Sequence, residues 1–229
     1  MESLLGSLAI FFFFALFAIW KIKSQKEKIF KNNNAINLKL LMAITTFIIS
    51  INLIFIALTF GNLSIETEKN NPIYEIFEQY FLVEFAVIVI IAPLTEELLF
   101  RRLIYANTRK NRGIIIGYLV SISIFSVIHF DPLNIIHAFL LGSFYTFIYE
   151  RTQSVLASII AHALNNLFAI SAVFFVEIVP LLFIEFNSPW RYLEFIIAIL
   201  LLLWSLRHIY QITQSKSLQK SERPIDTAT

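Results

Sequence analysis

The stretch FAVIVIIAPLTEELLFRR, residues 85–102, decides how the rest of the chain is interpreted. A continuous apolar run leads directly into two adjacent acids, Glu96 and Glu97, and then into two adjacent bases, Arg101 and Arg102. An ionised side chain inside a hydrocarbon layer costs roughly 3 kcal/mol or more, so it generally faces the interior of a helix bundle and has a function. The stretch therefore predicts a membrane helix that carries a polar site.

The composition indicates that a lipid bilayer surrounds most of the chain. Of 229 residues, 58% are hydrophobic, 24 are Phe and only 15% are charged. A soluble domain of this size needs more polar surface, and the apolar runs approach or exceed the roughly 18 residues that span a bilayer. We therefore predict an all-α polytopic transmembrane helix bundle that forms one integral membrane domain. The absence of Cys excludes disulfides and thiolate metal sites.

Apolar runs separated by charged segments predict about seven spans, with eight as the alternative. The segment 155–186 is too long for one crossing and short for two. The predicted spans are residues 4–20, 40–60, 77–105, 114–130, 133–149, a sixth that starts at 155, and 192–206. We divide the chain into two N-terminal spans with a basic loop (1–74), a core of spans three to six that carries the site (75–175), a re-entrant segment with the last span (176–213), and a polar tail (214–229).

The distribution of basic residues predicts the orientation in the membrane. Seven crossings place sixteen of the 18 Lys and Arg residues on one side, with Arg101 and Arg102 counted in the loop after span three. Lys and Arg collect in cytoplasmic loops, which predicts an external N-terminus, a cytoplasmic C-terminus and a re-entrant or surface segment at 176–190. Usage rich in Ile, Asn, Lys and Phe favours a low-GC prokaryote, hence a prokaryotic plasma membrane. Nothing in this charge distribution indicates nucleic-acid binding.

The two adjacent acids of the opening stretch have different predicted roles. Residues four apart share one face of an α-helix, so Glu97 pairs with Arg101 as a supporting ion pair. Glu96 points about 100° away and is free for chemistry. Two further acids are interpreted as structural: Glu84 as a hydrogen-bonding partner of a neighbouring helix, and Glu177 as a boundary residue.

Two later motifs add polar side chains. HALNN places His162 and Asn166 four residues apart on one helical face, and FSVIH places His129 on the same face as the Phe that begins the motif. The midpoint between positions 96 and 129 lies beside Arg112. In an antiparallel hairpin, residues equidistant from the turn lie at similar depth, so Glu96 and His129 are predicted to face each other.

A carboxylate, two imidazoles and a carboxamide inside a membrane suit hydrolysis of a peptide bond. Glu96 can take a proton from water that His129 holds. The N–H groups of Asn166 and His162 can stabilise the oxyanion of the tetrahedral intermediate. Alternatively, Glu96, His129 and His162 could bind a divalent metal ion such as Zn²⁺, leaving water in an open position. The HExxH motif of many soluble zinc proteases is not in the sequence.

The motifs EELLFR, FSVIH and HALNN follow one another in successive apolar segments and fit the patterns EExxxR, FxxxH and HxxxN. Over residues 75–170 the chain therefore resembles the CAAX-protease and bacteriocin-processing family of intramembrane proteases, which includes the type II CAAX prenyl endopeptidases and the Abi proteins. The resemblance implies a metalloprotease-like intramembrane endopeptidase. It also implies roles for four residues: Glu96 as base, His129 on the water, and His162 with Asn166 at the oxyanion.

Two other functional classes remain open. One is a proton-coupled carrier, because Glu and His also form relays in membrane helices. Only five Gly occur in the sequence, and neither an inverted repeat nor paired Gly/Pro-broken segments are apparent in it. The other is a non-catalytic membrane scaffold or immunity protein of the same fold. The expected partners are the lipid bilayer and a hydrophobic or lipid-linked peptide substrate, without nucleic acid.

Overall fold

The computed structural model describes residues 2–24, 29, 36–59, 80–174 and 190–221, and every regular element in these ranges is a helix. Seven helices follow one another within them. They are α1 (Glu2–Ser24), α2 (Leu38–Thr59), α3 (80–112), α4 (Ile114–Val127), α5 (Pro132–Thr152), α6 (Val155–Phe174) and α7 (Trp190–Ser221). The predicted all-α class is confirmed.

Several helices have the length and hydrophobicity of membrane spans. Three are long and apolar enough to cross a bilayer: Leu38–Leu58 of α2, Pro132–Thr152 of α5 and Tyr192–Gln214 of α7. The apolar parts of α4 and α6, Ile114–Val127 and Val155–Ser171, are shorter. Only 17% of the most apolar part of α7 is buried inside the protein, so its apolar surface requires lipid rather than water. The chain is an integral membrane protein with a helical bundle.

Two helices extend beyond the spans predicted from hydropathy. The third helix continues past residue 105 to 112, and α7 continues past 206 to Ser221, through the first part of the predicted polar tail. A helix satisfies its own backbone hydrogen bonds, so it can leave the bilayer without a break, and hydropathy marks only its apolar part. The predicted re-entrant segment lies outside the described residues except at position 190, where α7 begins. The choice between seven and eight spans stays a prediction.

Arg101 and Arg102 lie inside α3 and not in the loop to which the charge count assigned them. Both residues are buried, and Arg101 is completely enclosed. The assignment of these two residues to a loop is therefore wrong. The physical reason is that Arg101 contacts the carbonyl of Gly142 on α5 and the ring of Phe125 on α4, which a count of loop charges cannot take into account.

The third helix is a single rod that departs twice from α-helical geometry. Residues Val87–Ile91 and Leu98–Tyr105 are π-helical, and the α-helical segment Ala92–Glu97 lies between them. Pro93 has no N–H, and its ring crowds the carbonyl four residues earlier, which accounts for a wider turn just before it. Such turns are frequent at functional sites. The segment between the two wide turns carries both adjacent acids.

Gly113 forms the turn between α3 and α4. Its φ angle of 89° lies in a region that residues with a Cβ rarely adopt. The turn stands directly after Arg112, where the hairpin midpoint was predicted. The two helices therefore fold back on each other at this point, with residues 96 and 129 both distant from the turn.

The turn between α4 and α5 places His129 outside a helix. The fourth helix ends at Val127, whereas the sequence predicted a span that continues to 130. Asp131 accepts the backbone N–H groups two and three residues later, each at 3.0 Å, as the N-cap of α5. Pro132 then begins α5 and disfavours a helical conformation of the residue before it. The prediction that His129 lies on the face of a helix is wrong for this reason.

The core lies between α2, α5, α6 and α7 and reaches α3 and α4. Phe47 of α2 stacks on Phe144 of α5, with ring centroids 3.5 Å apart. Ala157 and Ala161 are fully buried and allow α6 to approach closely. A smaller cluster around Ile22 joins α1 to α3. These contacts hold α3, α4, α5 and α6 side by side around the polar residues.

An ion pair outside the apolar core joins the end of α3 to α5. Arg109 Nη2 lies 2.6 Å from Glu150 Oε1, and the Tyr105 hydroxyl donates to the other carboxylate oxygen at 2.8 Å. The hydrogen bond from Arg109 to Glu150 raises the pKa of the guanidinium above its usual value. This contact fixes the two helices relative to each other beyond the end of the site.

Candidate active site

Glu97 is the ionic centre of a fully buried cluster. Its Oε1 lies 3.1 Å from Arg101 Nη1 and 3.0 Å from His162 Nδ1. The pair with Arg101 follows from the four-residue spacing, whereas the contact with His162 joins α3 to α6. A buried carboxylate requires such partners, because an unpaired charge taken out of water is costly. This geometry suits the supporting role predicted for Glu97 and Arg101.

Arg101 is enclosed by groups from three helices. Its Nη2 donates to the carbonyl of Gly142 at 3.0 Å. Its guanidinium carbon lies 4.4 Å from the ring centre of Phe125 and 5.4 Å from that of Tyr145. A Cβ at position 142 would lie 2.8 Å from Phe125 Cδ1. The helix α5 can therefore approach α4 this closely only because Gly142 has no side chain. A carboxylate, a carbonyl and aromatic faces therefore share the charge of Arg101.

His162 lies between the two adjacent acids. Its Nδ1 faces Glu97, and its Nε2 lies 4.0 Å from Glu96 Oε2. The ring stacks on Tyr145, with 4.8 Å between centroids and an angle of 16°. Because Nδ1 donates to a carboxylate, Nε2 carries a proton only in the imidazolium form. To donate to an oxyanion through Nε2, His162 would therefore have to be in the imidazolium form.

Whereas Glu97 is completely buried, Glu96 is the acid of the pair that is partly exposed. Its side chain is 18% exposed, and Oε2 has no hydrogen-bond partner among the described residues. The charged or ionisable groups that act on it electrostatically are His162, Glu97, His129 and Arg101. A partly accessible carboxylate beside two imidazoles is the arrangement that a general base requires.

His129 lies in the turn after α4 with an exposed ring. Its Nδ1 is 2.9 Å from the carbonyl of Phe125, so Nδ1–H donates and Nε2 remains an acceptor. Its imidazole is within electrostatic range of both Glu96 and His137. The backbone contact therefore orients the imidazole even though the residue is not part of a helix.

Asn166 is held at the N-terminal wide turn of α3. Its Nδ2 donates to the carbonyl of Ile88 at 2.8 Å, inside the π-helical stretch. Its Oδ1 lies 3.4 Å from Asn165 Nδ2, and the Oδ1 of Asn165 accepts from Asn52 Nδ2 at 2.9 Å. The carboxamide of Asn166 is thus connected to α3 directly and to α2 through one intermediate side chain.

Three polar residues of this region were not identified as site residues from the sequence: Asn52, Asn165 and His137. His137 stacks on Phe55, with 4.3 Å between ring centroids, and its buried Nε2 has no hydrogen-bond partner among the residues described. Asn52 and His137 are isolated polar residues within apolar runs, the same signal that drew attention to the other histidines. Asn165 stands directly before Asn166 in HALNN.

The two acids interpreted as structural stand apart from this cluster. Glu84 lies on α3, twelve residues before Glu96, and is partly buried. Glu177 lies outside the residues that the structure describes. Their predicted roles stay predictions.

The three candidate metal ligands do not form a three-ligand site in this arrangement. Within the described ranges, no three His, Asp or Glu side chains come close enough together to hold a metal ion. Ligands of a tetrahedral zinc ion lie about 3.3 Å apart, since each is about 2 Å from the metal. Glu96 Oε2 and His162 Nε2 are 4.0 Å apart, which is wider than this spacing. A zinc ion at this position would therefore require Glu96 and His162 to move closer together.

Fold and site together define a class of protein. It is a helical integral membrane protein in which a partly exposed carboxylate, two imidazoles and a carboxamide are held by three neighbouring segments of the bundle. Comparison with known proteins then places it in a family.

Residues 78–168 match the family model described as Type II CAAX prenyl endopeptidase Rce1-like. The chain is 30% identical over 168 residues to the "UPF0177 protein in abiGi 5'region" of Lactococcus lactis subsp. cremoris, covering 71% of this chain and 69% of that protein. It is 28% identical over 105 residues to the "Putative membrane peptidase YdiL" of Bacillus subtilis (strain 168), covering 46% of this chain and 43% of that protein. No solved structure matches the chain.

The chain belongs to the CAAX-protease and bacteriocin-processing family. The matched residues contain all three motifs, EELLFR, FSVIH and HALNN. The match with the Bacillus protein spans less than half of that protein's length. These comparisons support a membrane protease as the general class.

Proposed function

We propose that the chain is an intramembrane endopeptidase that hydrolyses a peptide bond of a hydrophobic or membrane-associated peptide with water activated by Glu96. The observation that carries this proposal is the unequal pairing of the two acids. Glu97 lies 3.1 Å from Arg101 and 3.0 Å from His162, whereas Glu96 approaches His162 only to 4.0 Å and is partly exposed. A base must be unpaired in its resting state to take a proton.

In the proposed reaction, water binds between Glu96 and His129. Glu96 takes one proton as the water oxygen attacks the carbonyl carbon. The Nε2 lone pair of His129 accepts a hydrogen bond from the other O–H of the water and so orients the attack. The oxyanion receives hydrogen bonds from Asn166 Nδ2 and from Nε2 of charged His162. Glu96 then gives its proton to the leaving nitrogen and the C–N bond breaks. The products are a carboxylic acid and an amine.

The chemistry of the surroundings favours a hydrophobic or lipid-linked peptide as substrate. The turn that carries His129 is flanked by exposed apolar side chains, with Phe130 exposed at 87%. A water-soluble peptide would leave its hydration shell to reach such a site, whereas a peptide already in the bilayer would not. Membrane-embedded or lipidated peptides are therefore the substrate class to test.

We also propose a prokaryotic plasma membrane as the location, with the N-terminus outside and the C-terminus cytoplasmic. The two relatives described above are bacterial, which supports the origin. The basic residues of the predicted loops and tail support the orientation.

The test uses the purified full chain in detergent with a set of quenched-fluorescent peptides of hydrophobic sequence, with cleavage sites located by mass spectrometry. Wild type and Glu84→Gln are expected to cleave equally, and Glu96→Gln is expected to be at least about 100-fold slower. Glu84→Gln is the matched control, because it is the same substitution on the same helix. Cleavage by Glu96→Gln at the wild-type rate would refute the proposal.

The same preparation separates the alternative classes. Proton or ion flux into liposomes without cleavage of any peptide would indicate a carrier. Peptide binding that is insensitive to Glu96→Gln, again without cleavage, would indicate a scaffold. Comparing peptides in native membranes that contain wild type or Glu96→Gln identifies the natural substrate as fragments present only with wild type.

A further inference from the structure

Three asparagine side chains form a hydrogen-bonded chain from α2 through α6 to α3. Asn52 Nδ2 lies 2.8 Å from the carbonyl of Ile48 and 2.9 Å from Asn165 Oδ1. Asn165 Nδ2 lies 3.4 Å from Asn166 Oδ1, and Asn166 Nδ2 lies 2.8 Å from the carbonyl of Ile88. Asn52 and Asn165 are only 6% and 7% exposed, so their polar atoms depend on one another.

This chain of amides has one direction, because it begins and ends at backbone carbonyls. A carbonyl only accepts hydrogen bonds, so Asn52 must turn its nitrogen to Ile48, and Asn166 must turn its nitrogen to Ile88. The atom of Asn165 that faces Asn52 is then its oxygen, and the atom that faces Asn166 is its nitrogen. Rotating any one amide by 180° would set two donors or two acceptors against each other, which leaves buried groups unpaired.

We infer that Asn52 and Asn165 are positioning residues that hold the carboxamide of Asn166 with its nitrogen toward α3. This inference rests on the proposed role of Asn166 as an oxyanion donor. One N–H of Asn166 bonds to Ile88, and the second N–H is the one offered to the substrate. The reversed amide would present its oxygen to a developing negative charge and would oppose the reaction.

Asn52 lies outside the three recognised motifs, so its role would extend the site to an N-terminal helix. Asn52 lies on α2, before the residues 78–168 that match the family model. Its contact with Asn165 crosses 113 positions of sequence. The N-terminal helices would thus contribute to the orientation of a group in the site as well as to packing.

Substitutions at Asn52 separate the direction of the amide chain from packing. Asn52→Leu keeps the volume and removes the donor, so the orientation of Asn165 is no longer fixed. Asn52→Asp replaces the donor by an acceptor, which attracts the nitrogen of Asn165 and reverses the chain. We expect kcat to fall about tenfold in Asn52→Leu and about 100-fold in Asn52→Asp, with KM changed less than about twofold, because loss of one oxyanion donor costs at least about 100-fold.

Ser50→Ala is the matched control. Ser50 is fully buried on the same helix, and its hydroxyl donates to the carbonyl of Thr46 at 2.7 Å, within α2. The control removes a buried hydrogen bond without touching the amide chain, so kcat should not change. Rates are measured below the melting temperature of each variant, with the quenched-fluorescent peptide that wild type cleaves best.

A double-mutant cycle distinguishes positioning from general stability. If Asn52 acts through Asn166, adding Asn52→Asp to Asn166→Ala lowers kcat no further. Losses that multiply in the double variant would overturn the inference, and so would equal kcat values for Asn52→Leu, Asn52→Asp and wild type. Asn165→Leu replaces Asn52→Asp in the cycle if the latter does not fold.

The proposed function and the positioning role can fail separately. Glu96→Gln and Asn166→Ala that cleave at the wild-type rate would refute the proposed function. If both are inactive while Asn52→Leu and Asn165→Leu keep the wild-type kcat, the hydrolytic site stands and the positioning role is refuted.

Discussion

Replacing Glu97 by Gln tests the distinction between the two adjacent acids. The substitution removes the negative charge that Arg101 Nη1 contacts at 3.1 Å and His162 Nδ1 at 3.0 Å, in a fully buried position. Removing one partner of a buried ion pair costs about 3–5 kcal/mol. Gln retains one acceptor oxygen, and Arg101 retains the Gly142 carbonyl and the face of Phe125. We therefore expect a loss of stability at the lower end of that range, about 3 kcal/mol.

The assay is thermal melting of the purified chain in detergent, measured beside turnover. For a chain of this size, about 1 kcal/mol corresponds to about 2–4 °C, so Glu97→Gln should melt about 6–12 °C lower. Glu84→Gln and Glu96→Gln should melt close to wild type, since neither residue pairs with Arg101. If Glu97→Gln melts normally but is inactive, while Glu96→Gln still cleaves, the roles are reversed: Glu97 is the base and Glu96 is the supporting acid.

Three further predictions address packing, metal and topology. Gly142→Ala should destabilise the chain by about 1–3 kcal/mol in denaturation, because the new Cβ would lie 2.8 Å from Phe125 Cδ1; a more stable variant, as helix propensity alone favours, would contradict this packing. Cleavage should survive exhaustive chelation, with well below one metal ion per chain by elemental analysis; activity lost on chelation and restored by Zn²⁺ would require rearrangement of Glu96, His129 and His162 around a metal. A reporter fused after Thr229 should be cytoplasmic, and an external reporter would require an eighth crossing.

Local and compositional features of the site could be predicted from the sequence. Glu97 and Arg101 are four residues apart in one helix, so their contact needs no information from elsewhere in the chain. The turn at Gly113 could be placed because the charged, polar residues before it interrupt two apolar runs. The motifs around positions 96, 129 and 162 indicated the family, because each stands in an apolar segment where polar residues are costly.

Contacts between helices could not be predicted in this way. The sequence assigned His162 to the oxyanion without a partner, whereas its Nδ1 is bonded to Glu97 across 65 positions. Which nitrogen of His162 can reach a substrate depends on that contact, and therefore on how α6 packs against α3. Asn52 belongs to no recognised motif, and its contact with Asn165, 113 positions away, could not be predicted from its local sequence.

The amino-acid sequence by itself determined that this chain is an all-α membrane protein, that it carries the three motifs of its family, and that Glu97 would be paired with Arg101. These features depend on hydrophobicity and on spacing within one helix, which are local properties. Only the tertiary structure decided that His162 stands between the two acids and that Asn52 joins the amide chain. The direction of a side chain and the partner of a buried polar atom depend on which helices pack together, and many residues distant in sequence determine that packing jointly.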